Sequence, residues 1–445
     1  MARFGLSAVP ALAVLAAAAA VAAPAHTRAG GVTTTACGRV LPPSWGSYLG
    51  AFTDFNTRET YNEDHVSGGR ITAFEKLAGH TLSWVYFSQQ WYRGLRFPRE
   101  RVLTIWRHGA VPYIAFLPSS GVFYGPGPKQ HNPERRYTLQ RIIDGVFDRR
   151  LRNWADGARS LGVPLLLSFG AEVNDEWGPW NARWNGADQT DGYGDPTYPD
   201  GAERYRDAYR HLVKLFRTEG ANNVSFVFHA DSYRPYNVWN TLDLYYPGDA
   251  YVDWLGISVY GTLDPRVPMS PFARKLDVSG VYRVLTKLSR RPVAIVEMGT
   301  VERAAGEKAA WIRGAFRAIR SGRYPRVRAA VWWSTDSGAN TRIDSSPGAL
   351  EAFREGDRGT FFAAPPRFGG DCRPPPPATV FATPGPPGVI RVHWSPVATA
   401  SAYEVWRDGR RVATVRETSW LDTTAKPGRP HTYRVRAVDP GGRSI

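Results

Sequence analysis

The feature of this sequence that most constrains its fold is a series of eight short apolar runs separated by longer segments. Each run is bounded by polar residues, glycine or proline, as is typical of strands buried on both faces of a parallel sheet. A parallel sheet needs a long crossover between consecutive strands, and helices usually supply it. The runs are residues 48–52, 82–87, 111–117, 164–169, 224–230, 254–260, 292–297 and 328–333.

The segments between the runs have helical periodicity. Residues 202–220 place Tyr205, Tyr209, Leu212 and Phe216 on one face and end at a glycine. Residues 141–162 and 307–322 have the same character. Eight strand-then-helix units over roughly 320 residues predict a (β/α)8 TIM barrel of class α/β, which we assign to residues 37–364. A doubly wound open sheet is the alternative, but no GxGxxG or GxxxxGK[ST] motif follows an early strand.

The N-terminal residues predict export. Arg3 precedes an Ala-rich apolar run at residues 9–23, and Ala23 and Ala25 offer a cleavage site. We therefore predict a signal peptide at residues 1–25 and a linker at 26–36. The mature protein would be secreted, extracellular and free of the membrane, and an uncleaved anchor is the alternative.

The chain has two cysteines, Cys37 and Cys372, which bracket the predicted barrel. In an exported protein such a pair most simply forms a disulfide bond, and two free thiols are the alternative. With no third cysteine and no histidine cluster at ligand spacing, we predict no metal site and no cofactor. The Asp- and Gly-rich loop at residues 184–201 is a weaker candidate for calcium, but its spacing fits no EF-hand.

The composition changes after the predicted barrel. Residues 365–377 form a proline-rich linker, and residues 378–445 alternate apolar and polar positions with frequent turns, which predicts a small immunoglobulin-like β-sandwich. The spacing of Trp394, Tyr403 and Tyr433 resembles that of a fibronectin type III module. Ile445 falls where the last strand of that module would begin, so a truncated module is an alternative.

The charge of the chain gives two interpretations. A formal net charge of +16 and a pI near 9.9 are typical of proteins with polyanionic partners, but also of general arginine enrichment. Arginine is scattered along the chain without a dense basic block, so we favour enrichment and predict no nucleic-acid partner. The abundant aromatics, including 16 Trp and 21 Tyr, suit stacking on sugar rings as well as core packing. We expect a monomer.

Two glutamates lie at the ends of predicted strands. Glu172 follows the fourth run and Glu297 ends the seventh. Because the carboxyl ends of all strands meet at one mouth of a barrel, the two carboxylates would face one pocket. Glycoside hydrolysis uses such a pair, one as proton donor and the other as nucleophile. The alternative is that each glutamate merely solvates the rim of the barrel.

Three segments carry a family resemblance. "LLLSFGAEVNDEWGPW" (165–180) resembles the acid/base segment of glycoside hydrolase family 26, roughly RxxHEMNxxWxPW. "YVDWLGISVYG" (251–261) is similar to the family's strand-six segment, and "RPVAIVEMGT" (291–300) to its nucleophile segment. The resemblance covers about residues 48–353 and implies that Glu172 is the acid/base and Glu297 the nucleophile.

The same resemblance implies further contacts with a polysaccharide substrate. Asn174 and Trp177 match family positions that bind and stack on the sugar, and Tyr260 matches the tyrosine that hydrogen-bonds the nucleophile. The eighth run supplies Trp332 and Trp333, one of which would floor the subsite for the attacked sugar. His229, after the fifth run, could contact substrate or be structural. Weaker candidates in predicted loops, each equally consistent with packing, are Asp54, Asn56, Trp91, Tyr92, Tyr124 and Trp184.

The implied mechanism is retaining double displacement, with the two carboxyl groups about 5–5.5 Å apart. Glu297 would stay ionised, while its charge and the nearby Trp177 and Trp180 would raise the pKa of Glu172. Two departures put β-mannan in doubt as substrate: Ala171 replaces the family's histidine, and Ser258 its aspartate. The open possibilities are another β-glycan, a catalytically inactive carbohydrate-binding or cell-wall-associated barrel, and a polyanion-binding adhesin.

Overall fold

Eight parallel strands close into a barrel in the computed structural model, which describes residues 37–53, 63–122, 129–233, 236–336, 338–370 and 372–444. A two-residue strand, β1 (Val40–Leu41), precedes the barrel. Each predicted apolar run coincides with one barrel strand, so the prediction of a (β/α)8 barrel is confirmed. The barrel strands are β2 (Tyr48–Thr53), β3 (Trp84–Gln90), β4 (Val111–Leu117), β5 (Leu165–Phe169), β6 (Val224–Asp231), β7 (Trp254–Tyr260), β8 (Val293–Gly299) and β9 (Val327–Ser334).

Helices surround the barrel. The segment 141–162 is not one continuous helix, because Gly145 takes a left-handed φ of 75° and separates two helices there. The helices are α1 (Gly68–Ala78), α2 (Arg99–His108), α3 (Leu139–Ile143), α4 (Asp148–Leu161), α5 (Asp200–Thr218), α6 (Leu242–Tyr245), α7 (Phe272–Ser279), α8 (Val281–Leu288), α9 (Glu307–Arg320) and α10 (Pro347–Asp357).

Aromatic side chains fill the interior of the barrel below its mouth. The ring of Trp84 on β3 lies edge-on to that of Trp254 on β7, with centroids 5.0 Å apart. Strands β3 and β7 lie on opposite sides of the barrel, so this contact crosses the interior. Tyr48 and Tyr113 pack against Trp84 at 5.6 and 6.3 Å. This filled floor leaves only the mouth open to a ligand.

The two ends of the barrel segment are tied together. Cys37 and Cys372 form a disulfide bond, as predicted. Next to it, β1 pairs antiparallel with β10 (Arg367–Phe368). The bond closes a loop of 335 residues in sequence, and in the chain-entropy model so long a loop stabilises the fold by about 6 kcal/mol.

The C-terminal part forms two β-sheets with a small core of their own, including Trp394 of one sheet and Tyr403 of the other. They contact the barrel at α2, where the Trp106 indole donates to Asp439 at 3.2 Å. That this part is a fibronectin type III module remains a prediction. Its strands are β11 (Val380–Pro384), β12 (Ile390–Trp394), β13 (Ala402–Arg407), β14 (Arg410–Val415), β15 (Ser419–Asp422), β16 (Tyr433–Asp439) and β17 (Gly442–Arg443).

Several predictions fall outside the described residues: the signal peptide and linker at 1–36, and the candidate cleft residues Asp54, Asn56 and Tyr124. Within the described ranges, no helix is both long and apolar enough to cross a membrane.

Candidate active site

Glu172 lies on a tight turn that follows β5. Gly170 has a φ of 65°, and a Cβ atom there would stand 2.8 Å from Cγ of Trp180, so only glycine fits. Glu172 itself has a φ of 52°, which is uncommon for a residue with a side chain. Such strained backbone is concentrated at functional sites, where the surrounding structure holds it in place.

Two indoles hold this turn, and they explain why tryptophans follow a buried strand. The Trp180 indole donates to the carbonyl of Ala171 at 2.7 Å. The Trp177 indole donates to Oε2 of Glu172, also at 2.7 Å. The two rings pack edge-on with centroids 5.2 Å apart. The segment therefore positions its own carboxylate through groups close to it in sequence.

Glu297 lies within β8 and is 7% exposed. The hydroxyl of Tyr260 on β7 donates to its Oε2 at 2.7 Å, and the Tyr86 hydroxyl on β3 also hydrogen-bonds to it. The register between β7 and β8 shifts just before Ser258, which pairs with Glu297. Irregularities of this kind re-aim side chains next to active sites. The predicted hydrogen bond between Tyr260 and Glu297 is thus present.

The two carboxylates are electrostatically coupled. Burial is the main cause that raises the pKa of Glu172 to about 7. Burial, followed by the charge of Glu172, raises the pKa of Glu297 well above its ordinary value. The pair therefore retains a proton near neutral pH, and its titration belongs to both groups together. Two expectations are wrong. The raised pKa of Glu297 disfavours the ionised form that the resemblance implies, and the N–H of Trp177 lowers the pKa of Glu172 because it stabilises the carboxylate.

Three further carboxylates lie near this pair, and the sequence analysis missed their role. Glu63, before α1, accepts a hydrogen bond from the Ser88 hydroxyl at 2.7 Å, and its charge raises the pKa of both Glu172 and Glu297. Asp175 also raises the pKa of Glu172, and the charge of Glu172 in turn raises the pKa of Asp231. The position of Asp231 at the end of β6 could have indicated it, whereas nothing in the sequence around Glu63 did.

Ser258 and His229 form a second support beneath Glu172. The Ser258 hydroxyl hydrogen-bonds to Glu172, and its Oγ lies 2.8 Å from Nε2 of His229. Burial lowers the pKa of His229 to about 3, so the ring is neutral. If Ser258 donates to Glu172, Nε2 of His229 carries the proton and donates to Ser258. His229 has no exposed surface, so its prediction as a substrate contact is wrong.

Asn174 is also not available to a substrate. Its Nδ2 donates to the carbonyls of Asp231 and Tyr233 at 3.1 and 2.9 Å, and its Oδ1 accepts from the backbone N–H of Asp231 at 2.8 Å. The side chain is fully buried. Its prediction as a substrate-binding residue is therefore wrong, because its amide joins the acid/base turn to the segment that follows β6.

The tryptophans of β9 separate into two environments. Trp332 has no exposed surface, packs against Trp311 and Phe353 on the helix side, and donates to the carbonyl of Thr341. Its prediction as a substrate contact is wrong, because successive side chains of a strand point to opposite faces. Trp333 stacks on Phe52 at 4.2 Å and lies 5.2 Å from the ring of Tyr86, so it faces the mouth. Its role in substrate binding remains a prediction.

The weaker loop candidates have mixed surroundings. Trp91 is buried against Phe116, so it is a core residue. The Trp184 indole donates to the carbonyl of Glu176, and the Tyr92 hydroxyl accepts from Arg93. In the part of the chain that the structure describes, no three His, Cys, Asp or Glu side chains are grouped to hold a metal ion.

Comparison with known proteins gives a family match. The model of glycosyl hydrolase family 26 matches residues 130–315, which include both carboxylates. Endoglucanase H of Acetivibrio thermocellus is 29% identical over 290 residues, which are 65% of this chain and 29% of the relative. A mannan endo-1,4-beta-mannosidase of Bacillus subtilis is 26% identical over 242 residues, covering 52% and 58% of the two chains. This chain thus spans less than two thirds of either relative's length.

Among solved structures, the catalytic domain of the GH26 endo-beta-1,4-mannanase of Bacillus sp. JAMB-750 superposes with a TM-score of 0.52 and 18% identity. The match covers 72% of this chain and 88% of that one, and it supports the fold alone. The sequence relatives, the matched segment and the barrel agree. All three are similar to glycosyl hydrolase family 26, and the relatives named above include endo-acting enzymes.

Proposed function

We propose that this protein is a secreted, retaining β-glycoside hydrolase that cleaves a β-linked polysaccharide, either a β-mannan or another β-glycan. One observation carries the proposal. Glu172 follows β5 and Glu297 lies within β8, both inside the family-matched segment, and the charge of Glu172 raises the pKa of Glu297. Two carboxylates that share a proton are the groups that a double displacement requires.

In the first step, the Glu297 carboxylate attacks the anomeric carbon while Glu172 gives its proton to the glycosidic oxygen. The bond to the leaving sugar breaks, and an ester to Glu297 forms. Because the charge of Glu297 is then lost, the pKa of Glu172 falls. In the second step Glu172 takes a proton from water, the hydroxide adds to the anomeric carbon, and Glu297 is released. Tyr260 and Tyr86 stabilise the charge of Glu297 before and after the ester.

Which β-glycan the site would accept depends on the residues around Glu172. Ser258 hydrogen-bonds to Glu172 and is itself supported by His229, so the acid/base keeps polar support at a position where the sequence departs from the family pattern. The relatives named above include both an endoglucanase and a mannan endo-mannosidase. Both glucans and mannans therefore belong in the substrate screen.

Secretion, a monomeric state and a fibronectin type III module belong to the same proposal. The disulfide between Cys37 and Cys372 supports secretion, because such bonds persist in oxidising compartments. The two small sheets with their own core support the module. The polysaccharide is the partner we propose, with no nucleic acid and no membrane attachment in the mature protein.

A reducing-sugar assay on soluble β-glycans tests the activity: galactomannan, glucomannan, mixed-linkage glucan, xylans and uronate-containing polymers. We expect release from at least one polymer by the wild type and none by Glu172→Ala or Glu297→Ala. Glu219→Gln, a half-exposed carboxylate at the end of α5, is the control and should retain full activity. Tight binding of one glycan without hydrolysis of any would favour an inactive carbohydrate-binding barrel.

A further inference from the structure

A cavity of about 550 Å³ lies beside the acid/base turn, outside the groups that the mechanism uses. It is lined by tyrosine, serine and basic side chains: Ser232, Tyr233, Tyr236, Ser270, Arg274, Lys275, Val278 and Ser279. Cavities of this size hold small ligands. We propose that this cavity is a subsite for an acidic sugar unit of the substrate, one that carries a carboxylate or a sulfate. The proposal rests on the glycoside hydrolase function proposed above.

The wall of the cavity is joined directly to the catalytic segment. Asn174, two residues after Glu172, donates to the carbonyl of Tyr233 at 2.9 Å. The backbone N–H of Ser232 donates to the carbonyl of Ser258 at 3.0 Å. A sugar in the cavity would therefore belong to the same chain that reaches Glu172. Because Glu172 protonates the leaving oxygen, we place this sugar on the leaving-group side of the cleaved bond.

In the part of the chain that the structure describes, the positive charges of the basic side chains in the cavity are not paired with a directly bonded acidic side chain. Among the described residues, neither Arg274 nor Lys275 has a side-chain hydrogen bond or ion pair. Lys275 lowers the pKa of Asp175 and Asp231 through its charge. Burial nevertheless holds the pKa of Asp231 well above its ordinary value, which disfavours its charged form and weakens its attraction to Lys275. None of the residues that line the cavity is acidic.

The position of Arg274 and Lys275 on α7 also favours an anionic ligand. They occupy the first turn of the helix, which contains no acidic residue. Positive side chains there oppose the helix dipole, whose positive end favours anions. The arrangement is unfavourable for the helix alone and places two positive side chains at one cavity. An anionic ligand would relieve that repulsion.

The tyrosines supply a surface for the sugar ring. Tyr236 is 94% exposed and Tyr233 is 38% exposed, and Val278 beside them is also exposed. Large apolar side chains grouped at a cavity rim mark ligand sites more often than scattered ones do. Tyrosine rings stack on the apolar face of a sugar while their hydroxyls stay in water. The cavity thus joins a stacking surface to a positive charge, as an acidic sugar requires.

The test is a binding measurement with full-length Glu297→Gln, which removes the nucleophile and prevents turnover. The probes are three ethers or esters of one β-1,4-glucan: carboxymethyl, sulfate and the uncharged hydroxyethyl form, each at low and physiological salt. The variant Arg274→Ala/Lys275→Ala is made in this background. The matched control, Arg283→Ala/Lys287→Ala, removes one arginine and one lysine from the exposed side of the adjacent α8.

We expect the Arg274→Ala/Lys275→Ala variant to bind one or both charged polymers about fivefold more weakly, while binding of the uncharged form is unchanged. The control variant should bind all three as the parent does. Comparing the binding of the carboxymethyl and sulfate polymers shows which acidic group the cavity accepts. Equal weakening by the control would overturn the proposal, because it would mean that the net charge of +16 attracts the polymers non-specifically. No difference between variant and parent would also overturn it.

A second variant, Tyr236→Ala, separates stacking from charge. Its ring is almost fully exposed, so the fold should be unaffected. We expect weaker binding of all the polymers that the cavity accepts, without a change in salt dependence. Failure of the proposed hydrolase activity would be seen separately, as absence of sugar release by the wild type. Binding of charged polymers through Arg274 and Lys275 can be measured whether or not the wild type cleaves them.

Discussion

Glu172 and Glu297 are residues of the same type in the same mouth, but they are held in different ways. Glu172 lies on a strained turn, and its indole donor, Trp177, is five residues away in sequence. Glu297 lies within β8 next to a shift in strand register, and its donors Tyr260 and Tyr86 come from two other strands. The surroundings of Glu172 therefore combine its own segment with support from β6 and β7, whereas the donors to Glu297 all come from other strands of the closed barrel.

The largest expected effect separates the chemical roles of the two carboxylates. Glu297→Gln should lower kcat about 10⁴-fold on every substrate, because no group replaces the nucleophile. Glu172→Ala should be less damaging on aryl glycosides with good leaving groups, which need no proton, and azide should restore its turnover. Steady-state kinetics and the anomer of the azide product measure this. A β-glycosyl azide from a Glu297 variant, with the α-azide from the Glu172 variant, would reverse the assignment.

The next prediction tests how strongly the stability of the fold depends on the glycine in the turn that carries Glu172. Gly170→Ala places a Cβ against Trp180 at a left-handed φ, and we expect it to destabilise the fold by about 2 kcal/mol. Gly314→Ala in α9 is the matched control, because a Cβ there meets nothing within 4 Å. The control should stabilise slightly, by about 0.5 kcal/mol. Urea denaturation of both variants gives the free energies of unfolding, and equal values would contradict the comparison.

The donors to the two carboxylates should move opposite limbs of the pH profile. Tyr260 lowers the pKa of Glu297, so Tyr260→Phe raises that pKa and moves the acidic limb of kcat/KM to higher pH. Ser258 lowers the pKa of Glu172, so Ser258→Ala moves the alkaline limb to higher pH. At neutral pH, each substitution should lower kcat by about tenfold or less. If both variants moved the same limb, the two carboxylates would not have separate roles.

The smallest expected effect concerns stability. The pKa of Glu172 is raised from its ordinary value to about 7, so the folded state binds a proton that the unfolded state has lost. The wild type should therefore lose stability as pH rises from about 4.5 to about 7. Glu172→Gln cannot ionise and should be more stable than the wild type at pH 8 by about 1 kcal/mol, after solvent screening. Thermal unfolding should show no such difference at pH 4.

Local sequence patterns were enough to predict the eight strands, the cysteine pair and the two glutamates. Each of these is encoded locally: a short apolar run between polar boundaries specifies a buried strand, and a carboxylate directly after it must lie near the mouth. Trp177 and Trp180 follow Glu172 within eight residues, so their proximity to it is local, although their hydrogen bonds to the turn were not predicted.

Which side chains meet depends instead on how the strands come together in the closed barrel. Alternation along β9 required that one of Trp332 and Trp333 face the helices, but the register of the closed barrel selected Trp332. Asn174 and His229 lie near the catalytic turn as expected, yet their polar atoms are used by groups from β6 and β7. The position of Glu63 and the pairing of Tyr86 with Glu297 likewise depend on strands far apart in sequence, so no local pattern could specify them.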